Sequence, residues 1–378
     1  MAKIPKIYLK KKLKANSKSD KNPPHGKNPS NKGEYIYVKN KLLAKSYNEH
    51  NIHLLKPAID KLVLRYDPIK NWDNNKKKAF KTFVFSYIND HDKSGDWDYE
   101  YVPNEIQNSN DGRYRAYKRN VWYKHEPTGE KILIQTDPKK SDTPFFRFDF
   151  NPSRLGAKGV KDFKTELRLL MCEETFGLSY ADILKDPQAV YRMDIAVDIL
   201  GVDVSDLKLT YNPHGNQKEA VKAMQYLSPV GRTQTEYPNA LNKGDLKTYV
   251  YNKKHELIDK GNEPCYGGAL HTRYEHRYTR WNKPLTHLLN ITKGKTPLKR
   301  LGMEWIDYKA IQDKSFQHVL FLQYAKSRGI DKALEVIPQE QHQEFLDTYH
   351  AAMTNIWHPS ELWEHWPSII EYYGLLEE

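Results

Sequence analysis

Three short runs in this chain alternate polar and apolar residues with a period of two, and that alternation constrains its fold more tightly than any other feature. In a β-strand successive side chains point to opposite faces, so residues two apart share one. In residues 191–200 (YRMDIAVDIL) Asp194, Ala196 and Asp198 fall on one face and Ile195, Val197 and Ile199 on the other. Residues 247–252 (KTYVYN) place Tyr249 and Tyr251 together, with Lys253 next in the same series. Residues 270–278 (LHTRYEHRY) do the same for Arg273, Glu275 and Arg277. Each run offers one polar, chemically capable face.

The rest of the chain reads as an α+β fold around such strands. Residues 61–66 (KLVLRY) form a strand-like run, and Phe80, Phe83, Val84, Tyr87 and Ile88 then recur at helical spacing. Residues 113–125 and 131–136 are β-rich and joined by EPTGE, whose Pro and Gly mark a turn; FFRFDF at 145–150 is a third strand. Helix is expected over 161–172. Beyond residue 301 the composition turns helical, with Phe316, Val319, Leu320 and Tyr324 on one stripe and a second helix at 340–356. The expected architecture is a central, largely antiparallel sheet with flanking helices, followed by a C-terminal helical region. Its units are a disordered basic arm at 1–33, a main domain at 34–300 and the helical region at 301–378.

Charge points to a polyanion as partner. The chain carries +12 over 378 residues, and the first 33 residues hold ten Lys against one Asp, leaving about +3 for the body. The arm has the composition of an electrostatic tether for nucleic acid or of a solubilising tail. No apolar run approaches the roughly 18 residues that span a bilayer, so a soluble cytoplasmic protein with no membrane partner is expected. Cys172 and Cys265 match no disulfide framework or zinc spacing.

If the three polar faces converge, Asp194, Asp198 and Glu275 supply oxygen ligands for a hard cation, Mg²⁺ or Mn²⁺. A tyrosine beside them would attack a phosphodiester, with Lys253 and Arg273 offsetting charge on the phosphate. Because a free phenol titrates near about 10, such a site has to ease formation of the phenolate, and Lys253 is placed to help. Spacing alone leaves Tyr249 and Tyr251 equivalent. It also leaves open a purely structural network in which Asp194 and Asp198 pair with Arg192, Arg273 or Arg277.

The ordered set FRFDFNPSRL, YRMDIAVDI, YVYNKKHEL and TRYEHRYTR, within residues 61–289, resembles the Rep_trans-type replication initiators of rolling-circle plasmids. A shorter echo, Tyr-x-Lys-x-x-Glu, is shared with filamentous phage initiators. The resemblance implies a rolling-circle nickase fold in a bacterial host, acting at a double-strand origin of plasmid or phage DNA. It assigns the nucleophile to Tyr251, which opens the Tyr-Asn-Lys-Lys segment, rather than to Tyr249. It implies a 5′-phosphotyrosine intermediate with a free 3′-hydroxyl primer, strand joining by the same chemistry, a homodimer and a host helicase as partner. Two positions depart from the family pattern: Asp149 stands where a Glu is usual, and Arg277 where a second acid often follows the Glu.

Other signals add less. The 15 His residues contain no His-x-His pair, and GKT at 294–296 lacks the first Gly of a P-loop. Residues 114–125 (YRAYKRNVWYKH) interleave Arg115, Lys118, Arg119 and Lys124 with aromatics and are expected to bind DNA, as are Lys254 and Arg277. The Trp-rich C-terminus (Trp357, Trp363, Trp366) reads first as helix packing and second as a stacking surface. Two other functions share these features: a non-catalytic nucleic-acid-binding protein and a conjugative relaxase.

Overall fold

A computed structural model describes residues 43–89, 97–102, 114–211, 219–220, 224–227, 233–237, 246–264, 266 and 269–377. The expected basic arm at 1–33 lies outside these, as does Cys265.

The chain opens with β1 (Leu43–Tyr47), β2 (Ile52–Leu55) and β3 (Ala58–Tyr66), then α1 (Asn74–Asn89), β4 (Trp97–Tyr101), β5 (Tyr117–His125), β6 (Glu130–Pro138) and β7 (Phe146–Phe150). Helices α2 (Pro152–Leu170), α3 (Glu173–Phe176) and α4 (Tyr180–Lys185) lead to β8 (Val190–Leu200) and β9 (Leu207–Tyr211). Next come β10 (Glu219–Ala220), β11 (Met224–Leu227), β12 (Thr233–Tyr237), β13 (Leu246–Asn252), α5 (Lys253–Asp259) and β14 (His271–Lys283). The chain closes with β15 (Leu301–Ile306), α6 (Phe316–Arg328), α7 (Ile330–Leu334), α8 (His342–Ala352), β16 (Met353–Asn355), α9 (Pro359–Trp363) and α10 (Trp366–Tyr372).

The fold is α+β, built on one large antiparallel sheet in the order β11-β12-β13-β14-β8-β3-β7-β6-β5-β4, with β2 also pairing β8 and carrying β1. The three runs singled out above are adjacent in it, as β13, β14 and β8. Register places Tyr249 opposite Glu275 and Tyr251 opposite Arg273. On the other side of β14, Arg273 faces Asp198, Glu275 faces Ala196 and Arg277 faces Asp194. Directly paired residues share a face, so the polar sets of all three strands lie on one side of the sheet.

The other side is apolar and covered. Leu62, Leu64, Phe146, Phe148, Phe150, Ile195, Val197, Val250 and Tyr274 are buried there. Helix α2 supplies Phe163, whose ring lies 5.9 Å from Phe148 and 5.1 Å from Phe150, and α1 supplies Phe80, 6.0 Å from Phe146. Asn151 caps α2 by accepting from the Arg154 backbone N–H, and Pro152 follows in the first turn, so this helix starts nine residues before the apolar pattern alone predicts.

The C-terminal residues complete this layer. Trp357 packs against Tyr274 at 5.1 Å, and the indole N–H groups of Trp357, Trp363 and Trp366 donate to the carbonyls of Leu298, Ile291 and Leu288. The packing reading of these tryptophans holds. The region from residue 301 is helical as expected, but it also adds β15 and β16 to a second sheet ordered β10-β9-β15-β16.

One stripe is reversed at three of its four positions, with Val319 alone packing against the inner cluster. Phe316, Leu320 and Tyr324 are exposed by 73%, 51% and 41%, while His318, Phe321, Leu322 and Ala325 turn inward against Phe345 and Tyr349. Both sets recur at helical spacing, so periodicity could not choose between them. Among the described residues no helix is long and apolar enough to cross a membrane.

Candidate active site

On the polar face the three strands bring their charged side chains into a single network. Arg273 is held at three corners: Nε and Nη2 donate to Asp198 at 2.6 and 2.9 Å, and Nη1 donates to Asp60 at 2.7 Å. Arg277 donates to Asp194 at 3.1 Å, to Glu275 Oε1 at 2.9 Å and to the Tyr249 hydroxyl at 3.2 Å. Arg192 makes a two-pronged contact with Asp194 from the same strand. The Tyr251 hydroxyl donates to Glu275 Oε2 at 3.0 Å.

Tyr251, Glu275, Arg277, Asp194 and Arg192 of this network line one wall of a cavity of about 460 Å³. Tyr251, Asp194, Glu275, Arg192 and Arg277 face it from the predicted strands, and Lys253 faces it from the first turn of α5, where Asn252 caps the helix and ends the strand alternation; Asp60 and Lys61 from β3, Asp149 from β7 and Arg154 from α2 close it. Asp198 and Arg273 sit behind the wall, 4% and 6% exposed. The site therefore has a layer that lines the cavity and a layer behind it, set mainly by strand register.

Electrostatics follow from burial. The Tyr251 phenol is pushed well above its ordinary value by burial and then by the charge of Glu275, so it rests as a neutral donor. Glu275 is itself pushed up to about 7, by burial first and then by Asp194 and Asp60. Burial, and then Arg273, draw the Lys253 ammonium below the usual lysine range. Its Nζ lies 2.6 Å from Glu256 and 5.7 Å from the centre of the Tyr251 ring. Lys253 is thus near the phenol but paired elsewhere, and the direct partner for the phenolic proton is Glu275.

The expected metal ligands do not form one centre. Asp194 and Asp198 are four residues apart on a strand, roughly 13 Å at about 3.3 Å per residue, whereas oxygens on one Mg²⁺ lie about 2.1 Å from it. Both carboxylates are also taken up by guanidinium groups, and His271 Nε2 adds a contact to Asp198 at 2.9 Å. Among the described residues no group of three His, Cys, Asp or Glu is arranged to hold a metal ion. Arg277 pairs with Asp194 and Glu275, and Asp149 is bound by Lys61 at 2.8 Å and Arg147 at 3.1 Å.

The expected DNA-binding run divides between the two faces of β5. Tyr117 and Tyr123 are buried, and Arg119 lies over the Phe85 ring of α1 at 4.0 Å. Lys118 and Lys124 pair with Asp137 at 3.6 Å and Glu126 at 2.8 Å; Arg115 is exposed in the turn before the strand. Period-two geometry forces the split, because a run of adjacent cations and aromatics in a strand cannot present them all on one side. β5 also stands six strand spacings from β13, roughly 29 Å at about 4.8 Å each. Lys254 is half-buried beside the site, and Arg277 is within it.

Sequence reasoning missed Asp60, Arg154 and Lys61 as site residues. β3 starts at Ala58, and its register with β8 shifts between Ile59 and Lys61. That bulge turns both Asp60 and Lys61 to the cavity, which strict alternation forbids.

No family model and no curated protein matches this chain.

Proposed function

We propose that this protein nicks one DNA strand at a replication origin by tyrosine transesterification. The observation that carries the reading is the Tyr251–Glu275 hydrogen bond at the wall of a cavity lined by Lys253, Arg192 and Arg277. Tyr251 Oη attacks the phosphorus in line as its proton passes to Glu275. The bond from phosphorus to the 3′-oxygen breaks, leaving a 5′-phosphotyrosine and a 3′-hydroxyl once that oxygen takes up a proton. Arg277 and Lys253 offset charge on the non-bridging oxygens, and Arg273 supports them from behind. The reverse step rejoins the strand. The family resemblance extends the proposal to a rolling-circle initiator in a bacterial cytoplasm, acting as a homodimer with a host helicase. Mg²⁺ or Mn²⁺ remains the proposed cofactor, although Asp194, Asp198 and Glu275 do not converge on one ion.

A second reading, a non-catalytic nucleic-acid-binding protein, is favoured by the completeness of the ion pairing around Asp194 and Asp198. One assay separates the two. Purified protein is incubated with supercoiled plasmid carrying its own replicon, in Mg²⁺, Mn²⁺ or chelator, and nicked circles are examined for attached protein. The nickase reading predicts an adduct that Tyr251→Phe abolishes and Tyr249→Phe retains. DNA retention without nicking, unaffected by Tyr251→Phe, supports the binding protein instead.

A further inference from the structure

The cavity holds a carboxylate for which the proposed chemistry has no direct use. Asp60 Oδ1 accepts from Arg273 Nη1 at 2.7 Å and from Asn151 Nδ2 at 3.3 Å, and it lines the cavity together with Tyr251, Lys253 and Arg154. It is placed there by the β3 bulge, a local feature that costs the ladder a regular pair. Burial opposes its charge, yet Arg273, Lys253 and Arg154 outweigh burial and hold it at about 2, which makes it an anion throughout the neutral range.

Arg273 and Lys253 repel, and the effect is visible at Lys253, whose ammonium is depressed by burial and then by Arg273. Asp60 adds an anion at Arg273, beside Asp198, while Lys253 and Arg154 have Glu256 and Glu130 as partners. Resting on the nickase reading, we propose that Asp60 is a positioning residue: it fixes Arg273 behind Tyr251, so that the attacked phosphate meets a wall whose supporting guanidinium is already in place. It acts through that guanidinium and touches nothing that reacts. The pairing with Arg273 matters most, because Asp198 already fixes the other two corners of that guanidinium and Asp60 fixes the third.

The proposal has an unusual signature, because Asp60 is itself negative and faces a negative substrate. Removing its charge should leave DNA affinity unchanged or make it several-fold tighter, while the rate of adduct formation falls about 10- to 100-fold, the range for losing a partner that orients a reactive group. The final fraction of protein trapped as adduct should match wild type, since the site is slowed and not lost.

The experiment is single-turnover cleavage of an origin oligonucleotide by full-length protein, comparing wild type, Asp60→Asn and, in parallel, Asp60→Ser. A double-mutant cycle with Arg273→Lys should show Asp60→Asn costing less than about threefold in that background. Rates within twofold of wild type overturn the proposal. So does a loss of affinity and adduct fraction together, which marks simple unfolding, and so does full additivity with Arg273→Lys. If wild type forms no adduct, the nickase reading has failed, and that outcome is distinct from all of these.

Discussion

The two faces of the large sheet are built from the same strands, and both are nearly closed to solvent, yet they are held together in opposite ways. On one side Phe148, Ile195, Val197, Val250 and Tyr274 are covered by α1, α2 and the C-terminal tryptophans. On the other, Asp194, Asp198, Arg273 and Glu275 are only 2–6% exposed and are balanced by one another. Apolar packing is non-directional and tolerates partial loss, whereas a buried charge deprived of its partner has nowhere to place its field. Burial alone therefore does not separate core from site; the geometry of partners does.

That difference predicts how each face breaks. Arg273→Ala leaves Asp198 and Asp60 without their shared guanidinium and should destabilise the protein by about 3–5 kcal/mol in urea unfolding. Adding Asp198→Asn should recover part of that loss. On the apolar face Phe148→Ala should cost a similar amount, about 3–5 kcal/mol, but pairing it with a distant truncation such as Trp363→Ala should add and not recover. Recovery on neither face would erase the distinction.

Acid should load His276 on one face and Asp60 on the other in different pH windows. His276, on the apolar side, is pushed down to about 3, chiefly by burial and then by Arg300, so the unfolded chain binds its proton first. Its folded value is depressed, so stability falls as pH drops from about 6.5 toward 3, at about 1.4 kcal/mol per unit. Asp60, on the polar side, is also depressed, to about 2; its contribution is complete above about 4 and is lost only as pH falls toward 2. Urea midpoints followed across pH should show His276→Phe flattening the upper window and Asp60→Asn the lower. A single window affected by both substitutions would contradict the assignment.

The smallest effect is expected away from both faces. Phe316→Ser and Leu320→Ser on the exposed stripe of α6 should stay within about 0.5 kcal/mol, whereas Phe321→Ala one position away should cost about 3–5 kcal/mol.

Much of this architecture was legible in the chain because period-two alternation is a direct record of which face a residue takes. The strands holding Asp194, Tyr251 and Glu275 emerged with boundaries correct to about one residue at most ends, and their polar sets do meet. Alternation carries no distances along a strand beyond its own rise, and none between strands. It could group Asp194 with Asp198 but not show that Arg273 and Arg277 each claim one of them. Asp60 was hidden because a bulge breaks the period that would have located it. The α6 stripe was misread because two apolar sets share one helix, and only the packing of Phe345 and Tyr349 selects between them.

The central claim is that Tyr251 is the residue that becomes joined to DNA. Trapping the wild-type adduct on an origin oligonucleotide, digesting both components and locating the nucleotide-bearing peptide by mass spectrometry tests it without a mutant. The account predicts a phosphotyrosine at Tyr251 joined to the 5′-phosphate of the nucleotide on the 3′ side of the nick; the same mass on Tyr249 or any other residue, or no linked peptide beside nicked product, would contradict it.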